Sequence, residues 1–88
     1  MYKRLLLIAM MMSLYACKAK TGEELYTEGM RALQEGKAGS AIVLFKSALE
    51  KEQNNRDIRY RLAQAYVAVG KYETAEREYR KILVLEPS

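Results

Sequence analysis

The chain has 88 residues, half of them hydrophobic, so it holds one domain at most. It has no His and one Cys, which excludes a His/Cys zinc site, a disulfide framework and acid–base chemistry centred on imidazole. Its 15 Lys and Arg against 11 Asp and Glu give a formal net charge of +4, a first indication of an anionic partner.

Residues 1–16 differ in composition from the rest of the chain. Lys3 and Arg4 form a basic start, and an apolar run over residues 5–15 follows, with Ser13 as its clearly polar member. A helix of that length reaches roughly 16 Å, about half the hydrocarbon core of a bilayer, so the run is too short for a comfortable membrane span. A basic start followed by a short apolar stretch predicts a secretory signal peptide over residues 1–16.

The predicted signal ends in Leu14-Tyr15-Ala16-Cys17, which resembles the lipobox of bacterial lipoproteins, with Tyr15 larger than the usual residue at its place. The resemblance implies cleavage before Cys17 and acylation of Cys17, so that residues 17–21 are a lipidated Cys with a short tether. The membrane is then a predicted partner through the lipid anchor. An ordinary signal peptide, or an uncleaved anchor with an incidental Cys, is the alternative. Lipidation is favoured because the only Cys lies at the position that the motif requires.

Four helices are predicted after the tether. Thr21 and Glu24 form a capping box at the start of the first helix, and Gly36 ends it. Asn55 can cap the third helix, and Gly70 ends that one. The predicted ranges are Gly22–Glu35, Gly39–Glu52, Arg56–Val69 and Tyr72–Leu85.

The helical part of the chain repeats itself at an offset of 34 residues. Identical residues recur in six pairs, and two further pairs keep an aromatic or a small side chain. The pairs are Tyr26 and Tyr60, Gly36 and Gly70, Lys37 and Lys71, Ala41 and Ala75, Leu49 and Leu83, Glu52 and Glu86, Phe45 and Tyr79, and Gly29 and Ala63. A period of 34 with helical patterning is typical of a helix–turn–helix repeat.

The second copy resembles the tetratricopeptide repeat (TPR), except that Arg59 replaces the family's Trp. The matching residues are Leu62, Ala63, Tyr66, Gly70, Ala75, Tyr79 and Pro87. The resemblance implies an all-α fold, a short α-solenoid of two repeats over residues 22–55 and 56–88. It also implies close packing between the two helices of each repeat at Gly29, Ala41, Phe45, Ala63, Ala75 and Tyr79.

In TPR proteins the first helix of each repeat lines a concave groove that binds a peptide or a partner segment. By register, the resemblance places nine residues there: Glu23, Tyr26, Thr27, Met30, Gln34, Asp57, Tyr60, Arg61 and Gln64. Leu33, Val67 and Ala68 take similar places, with packing between repeats as the alternative for Leu33 and Val67. Tyr26 and Tyr60 are expected to stack as an aromatic ladder. The Lys and Asn residues with which chaperone-binding TPRs hold a carboxylate tail are absent from these places.

Nucleic-acid binding and catalysis are not predicted. Losing Lys3 and Arg4 with the signal reduces 15 basic residues to 13 against 11 acidic ones, and the two signs interleave along the helices. Arg56, Arg59 and Arg61 come closest to a cluster, but Asp57 interrupts them, which favours a solvated face. We expect most carboxylates on exposed helix faces, and no catalytic residue, metal site or cofactor.

We expect the repeat array to be incomplete at its C-terminal end, because about three repeats are usually needed to cover the apolar faces. The last helix then presents Tyr79, Ile82, Leu83 and Leu85. This predicts either an amino-terminal piece of a longer TPR lipoprotein or self-association through this face.

The segment Cys17–Met30 is similar to the start of TPR lipoproteins of exosortase (PEP-CTERM) exopolysaccharide systems. This likeness implies a non-catalytic, membrane-anchored scaffold for protein–protein interaction in envelope assembly or export. Lys18 stands where inner-membrane lipoproteins of enteric bacteria carry Asp, which favours the periplasmic face of the outer membrane. The alternative is a structural subunit or fragment of a larger TPR lipoprotein for outer-membrane protein insertion or pilus assembly, joined through its last helix.

Overall fold

A computed structural model describes residues 19–85, which form four helices: α1 (Gly22–Gln34), α2 (Ala38–Lys51), α3 (Arg56–Ala68) and α4 (Tyr72–Leu85). The four predicted helices are confirmed, with every end within one residue of its predicted place. The predicted signal peptide, with the lipobox and Cys17, lies outside the described residues, as does Pro87.

Side chains cap the first helix of each repeat. The Glu24 amide donates to Thr21 Oγ1 at 3.1 Å at the start of α1. The Ile58 amide donates to Asn55 Oδ1, also at 3.1 Å, at the start of α3. Each cap satisfies an amide that the helix itself leaves unpaired, so both repeats begin with the same kind of bond.

Two glycines end α1 and α3 in the same way. Gly36 and Gly70 have φ angles of 78° and 80°, a left-handed conformation that glycine adopts without steric cost. The amide after each glycine reaches back five residues, from Lys37 to the Ala32 carbonyl at 2.8 Å and from Lys71 to the Tyr66 carbonyl at 2.9 Å. These bonds are those of the Schellman motif, which turns the chain into the second helix of each repeat.

The core lies along α3. Helix α1 packs on α2, and α3 packs on both α2 and α4. The buried side chains are mostly alanines with a few large residues, and they form one cluster: Ala32, Ala41, Phe45, Ala48, Leu49, Ile58, Leu62, Ala63, Ala65, Tyr66 and Ala75. Such small side chains let the helices approach closely, so the few large side chains have little free space around them.

Gly29 marks the closest approach of α1 to α2. A Cβ atom added to Gly29 would lie 2.6 Å from Phe45 Cε1 and 2.8 Å from Phe45 Cδ1. Phe45 is fully buried, so its ring has no room to move aside. Gly39 in α2 is the contrasting case, because an added Cβ would meet nothing within 4 Å.

A half-buried ion pair joins the two helices of the second repeat. Arg59 Nη1 lies 2.8 Å from Glu78 Oε2, and the two side chains are 16% and 11% exposed. Arg59 Nη2 also donates to the Gln53 carbonyl at 2.9 Å, and Lys81 Nζ lies 3.1 Å from Glu78 Oε1. The guanidinium therefore links α3 to α4 and to the turn before α3.

The Arg59–Glu78 pair corrects one expectation. The predicted solvated face is wrong for Arg59, while Glu78 is a buried exception to the expectation that most carboxylates are exposed. The physical reason is that each charge supplies the other's partner, which a single-residue pattern does not reveal. Arg59 thus occupies the family's Trp position, with its aliphatic stem largely buried and its guanidinium charge paired with Glu78.

We predict opposite effects of Ala at Gly29 and at Gly39. Gly39→Ala should stabilise the fold by about 0.5–1 kcal/mol, because α2 gains helix propensity in open space. Gly29→Ala should destabilise it by about 1–3 kcal/mol, because its Cβ overlaps the Phe45 ring. Urea unfolding followed by circular dichroism at 222 nm measures both. Similar shifts for the two variants would contradict the close approach at Gly29.

We predict that two arginines with equally short ion pairs differ in their effect on stability. Arg80 Nη2 lies 2.8 Å from Glu76 Oε1, but these side chains are 74% and 61% exposed. Arg80→Ala should cost less than about 1 kcal/mol. Arg59→Ala should cost about 3 kcal/mol, since it leaves the Glu78 carboxylate buried without its main partner. Equal costs in the same urea titration would show that the half-buried pair has no special role.

Candidate protein-binding groove

The nine predicted groove residues all reach the surface of α1 and α3. Tyr26, Met30, Arg61 and Gln64 are half-buried, and the other five are exposed. None of the nine lies in the buried core cluster, although Tyr26 and Met30 pack against it. The face is therefore accessible, and its partly buried members have fixed neighbours below them.

The structure brings three predicted groove residues from two repeats to one cavity. Glu23 and Tyr26 of α1 and Asp57 of α3 line an open cavity of about 230 Å³. The remaining lining residues are Glu52, Asn55 and Ile58, from the α2–α3 turn and the start of α3. The repeat pattern did not identify these three as site residues, because they lie outside the groove positions carried over from the family.

The cavity is acidic. Glu23, Glu52 and Asp57 contribute three carboxylates, and its six lining residues include no Lys or Arg. Glu23 and Asp57 lie in the first turns of α1 and α3, where a negative charge also stabilises the helix. The Glu52 carboxylate lies against Gly22, so close that an added Cβ on Gly22 would be 2.6 Å from its Oε2. Converging carboxylates produce a negative potential that attracts a cationic group.

The two tyrosines each contact the aromatic residue of their own repeat. The Tyr26 and Phe45 ring centroids are 6.0 Å apart, and those of Tyr60 and Tyr79 are 5.8 Å apart in an edge-to-face arrangement. Within residues 19–85, the Tyr26 and Tyr60 rings do not make the predicted stacking contact with each other. The reason is that the ring of Phe45 or Tyr79 offers each tyrosine a nearer partner on the second helix of its own repeat.

The polar groove residues near the tyrosines have partners of their own. The Arg61 guanidinium lies 5.7 Å from the Tyr60 ring centroid and donates to Gln64 Oε1 at 2.9 Å. Thr27 Oγ1 donates to the Glu23 carbonyl at 3.0 Å. These contacts hold Tyr60 and Arg61 as a preformed aromatic and cationic surface beside the acidic cavity.

Leu33 and Val67, equivalent by repeat, differ in environment. Leu33 packs against the core, as the packing interpretation expected. Val67 is 42% exposed, so it does not pack between repeats within residues 19–85. Gln34 and Ala68 are exposed at the ends of α1 and α3.

Comparison with known proteins identifies the repeat. The family model named tetratricopeptide repeat matches residues 32–87, well over half of the chain. The chain belongs to the tetratricopeptide-repeat family. Members of this family are typically non-catalytic scaffolds that bind protein or peptide partners. No curated protein and no solved structure matches the TPR chain.

Residues 19–85 contain no group of three or more carboxylate or Cys side chains arranged to hold a metal ion. None of their four helices combines the length and the apolar character needed to cross a membrane.

Proposed function

We propose that this TPR chain is a membrane-anchored, non-catalytic scaffold of the bacterial envelope that holds a partner segment in the groove between α1 and α3. The observation that carries the proposal is the cavity where Glu23, Tyr26 and Asp57 meet, because residues of both repeats build it. A site shared by two repeats exists only when they are stacked, as expected of a repeat-protein binding surface.

The charge of the cavity favours a particular kind of segment. Three carboxylates converge beside the half-buried Tyr26 ring, so the partner segment that fits best carries a Lys or Arg side chain. Such a cation would gain from the negative potential and from the aromatic face. The remainder of the groove, with Tyr60, Arg61 and Gln64, offers hydrogen bonds and a second ring.

The anchor places the groove close to the bilayer. Cys17 is separated from the start of α1 by a tether that reaches about 17 Å at most. Lys20 at the end of the tether donates to the Glu28 carboxylate of α1, which fixes that end on the helix. Two or three acyl chains on Cys17 would hold the scaffold stably on the membrane, where one chain is marginal.

Within the envelope, we favour the periplasmic face of the outer membrane and an exopolysaccharide export system, from the likeness of residues 17–30 to exosortase-system lipoproteins. Outer-membrane protein insertion or pilus assembly is the second candidate. The exposure of Leu83 and Val84 on α4 favours this second candidate, since it would join the chain through its last helix.

We predict that the mature protein begins at acylated Cys17. Expression of the full chain in a Gram-negative host should give a membrane-bound product lacking residues 1–16, with the added mass of diacylglycerol and a further acyl chain. Cys17→Ser should remain unprocessed and without that mass. Intact-mass spectrometry of both proteins tests this, and a wild-type N-terminus at any residue other than Cys17 would rule out the lipid anchor.

We also predict that partner contacts concentrate at the acidic cavity. A photo-crosslinking amino acid in place of Tyr26 should capture a partner segment that contains Lys or Arg, identified by mass spectrometry of the adduct. The control carries the same probe at Val43. This residue of α2 is exposed and lines neither the groove nor its cavity.

Charge reversal sharpens this crosslinking experiment. Glu23→Lys with Asp57→Lys should reduce the Tyr26 adduct about tenfold, since two of the three carboxylates of the cavity become cations. Glu50→Lys, an exposed change on α2, should leave it unchanged. Equal adducts at Tyr26 and Val43, or equal effects of the charge reversals, would count against the groove.

A further inference from the structure

Arg61 presents a fixed guanidinium on the groove, about one helical turn from the acidic cavity. Its Nη1 donates to Gln64 Oε1 at 2.9 Å, and its Cζ lies 5.7 Å from the centroid of the Tyr60 ring. Arg61 and Gln64 are both half-buried, so this bond lies against the body of the protein. A guanidinium has five N–H donors, and the bond to Gln64 leaves several of them for an acceptor from outside the chain.

The Tyr60 ring beside this guanidinium is itself supported from α4. It packs edge-to-face on Tyr79, with the two ring centroids 5.8 Å apart. This packing corrects the expectation that the last helix presents Tyr79 for association, because Tyr79 is half-buried. Ile82 and Leu85 are also half-buried, so Leu83 is the exposed member of the four predicted association residues.

Asp57 and Arg61 do not neutralise each other. They are four residues apart on α3 with the acid on the N-terminal side, which is the spacing and direction that favour an ion pair on a helix. Within residues 19–85, however, no ion pair joins them, and the guanidinium is turned to Gln64 and Tyr60 instead. The groove therefore keeps a negative site at the cavity and a separate positive site at Arg61.

The separation of these two sites matches a two-residue step of an extended segment. Four residues of an α-helix rise about 6 Å. Two residues of extended chain span about 6.6 Å and carry their side chains on the same side. The cavity, at about 230 Å³, is smaller than the roughly 300 Å³ at which pockets for drug-sized ligands begin, so it suits a single side chain. An extended segment along α3 thus places one side chain in the cavity and the next but one at Arg61.

We propose that the groove selects a segment that carries both signs of charge, with a Lys or Arg for the cavity and an Asp or Glu two residues away for Arg61. This inference rests on the proposed function, to which it adds the acidic residue and the spacing. A guanidinium binds a carboxylate through parallel N–H donors, which is more selective than a point charge. Arg61 also repels a segment that is basic throughout, so it restricts which basic segments the acidic cavity accepts.

Selection from a phage-displayed library of random dodecapeptides tests this specificity. The bait is the full chain in lipid nanodiscs, after depletion of the library on empty nanodiscs. The wild-type chain should enrich Lys or Arg. It should also enrich Asp or Glu two positions from that basic residue by about threefold over the unselected library, the effect expected of one accessible charge pair.

Charge reversal at Arg61 separates recognition from a structural role. Arg61→Glu should keep the enrichment of Lys or Arg for the cavity and should replace the acidic preference two positions away by a basic one. Arg61→Gln, which removes the charge without reversing it, should lose the acidic preference and gain none. Arg77→Glu makes the same charge change at an exposed position of α4 outside the groove and should select the same peptides as the wild type. Circular dichroism should show wild-type helix content for all three variants.

Two outcomes would overturn this inference alone. They are enrichment of Lys or Arg by the wild type without an acidic residue at a fixed spacing, and an unchanged acidic preference in both Arg61 variants. A wild-type selection without Lys or Arg would contradict the proposed function of the cavity, and this inference with it. The two proposals are therefore distinguishable in the same set of selected peptides.

Discussion

Helix α3 packs against both α2 and α4, and within residues 19–85 those two outer helices do not contact each other. The two repeats are therefore joined through α3, whose buried side chains include Ile58, Leu62 and Ala65. The acidic cavity depends on this packing, because it forms only where α3 brings Asp57 beside Tyr26.

The Arg59–Glu78 pair is a second consequence of the position of α3. An aromatic residue at the Arg59 position would contribute apolar contact, whereas the guanidinium contributes directed bonds to α4 and to the Gln53 carbonyl. Directed bonds fix the angle between elements more strictly than apolar burial does. The chain thus exchanges some apolar burial for a definite arrangement of α3 and α4.

Much of this fold could be predicted from the sequence, because the relevant signals are local. The Thr21 and Asn55 caps, the glycines at 36 and 70 and the 34-residue period each act within a few residues or by simple repetition. The Arg59–Glu78 pair and the approach of Glu52 to Gly22 could not be predicted, since both join residues of different helices or turns. The Tyr26–Tyr60 ladder was wrong because equivalence by repeat does not imply contact. The acidic cavity was not predicted, although three of its six lining residues, Glu23, Tyr26 and Asp57, lie at expected groove positions.

Native-state hydrogen exchange tests the central role of α3 most directly. If α3 joins the repeats, the amides of Leu62–Ala65 should exchange only through global unfolding, with protection as high as that of any amide in the chain. Amides at the start of α1 and the end of α4 should exchange through smaller openings. A result in which α1 and α2 stay protected while α3 and α4 exchange together would contradict this account, because the repeats would then open as independent units.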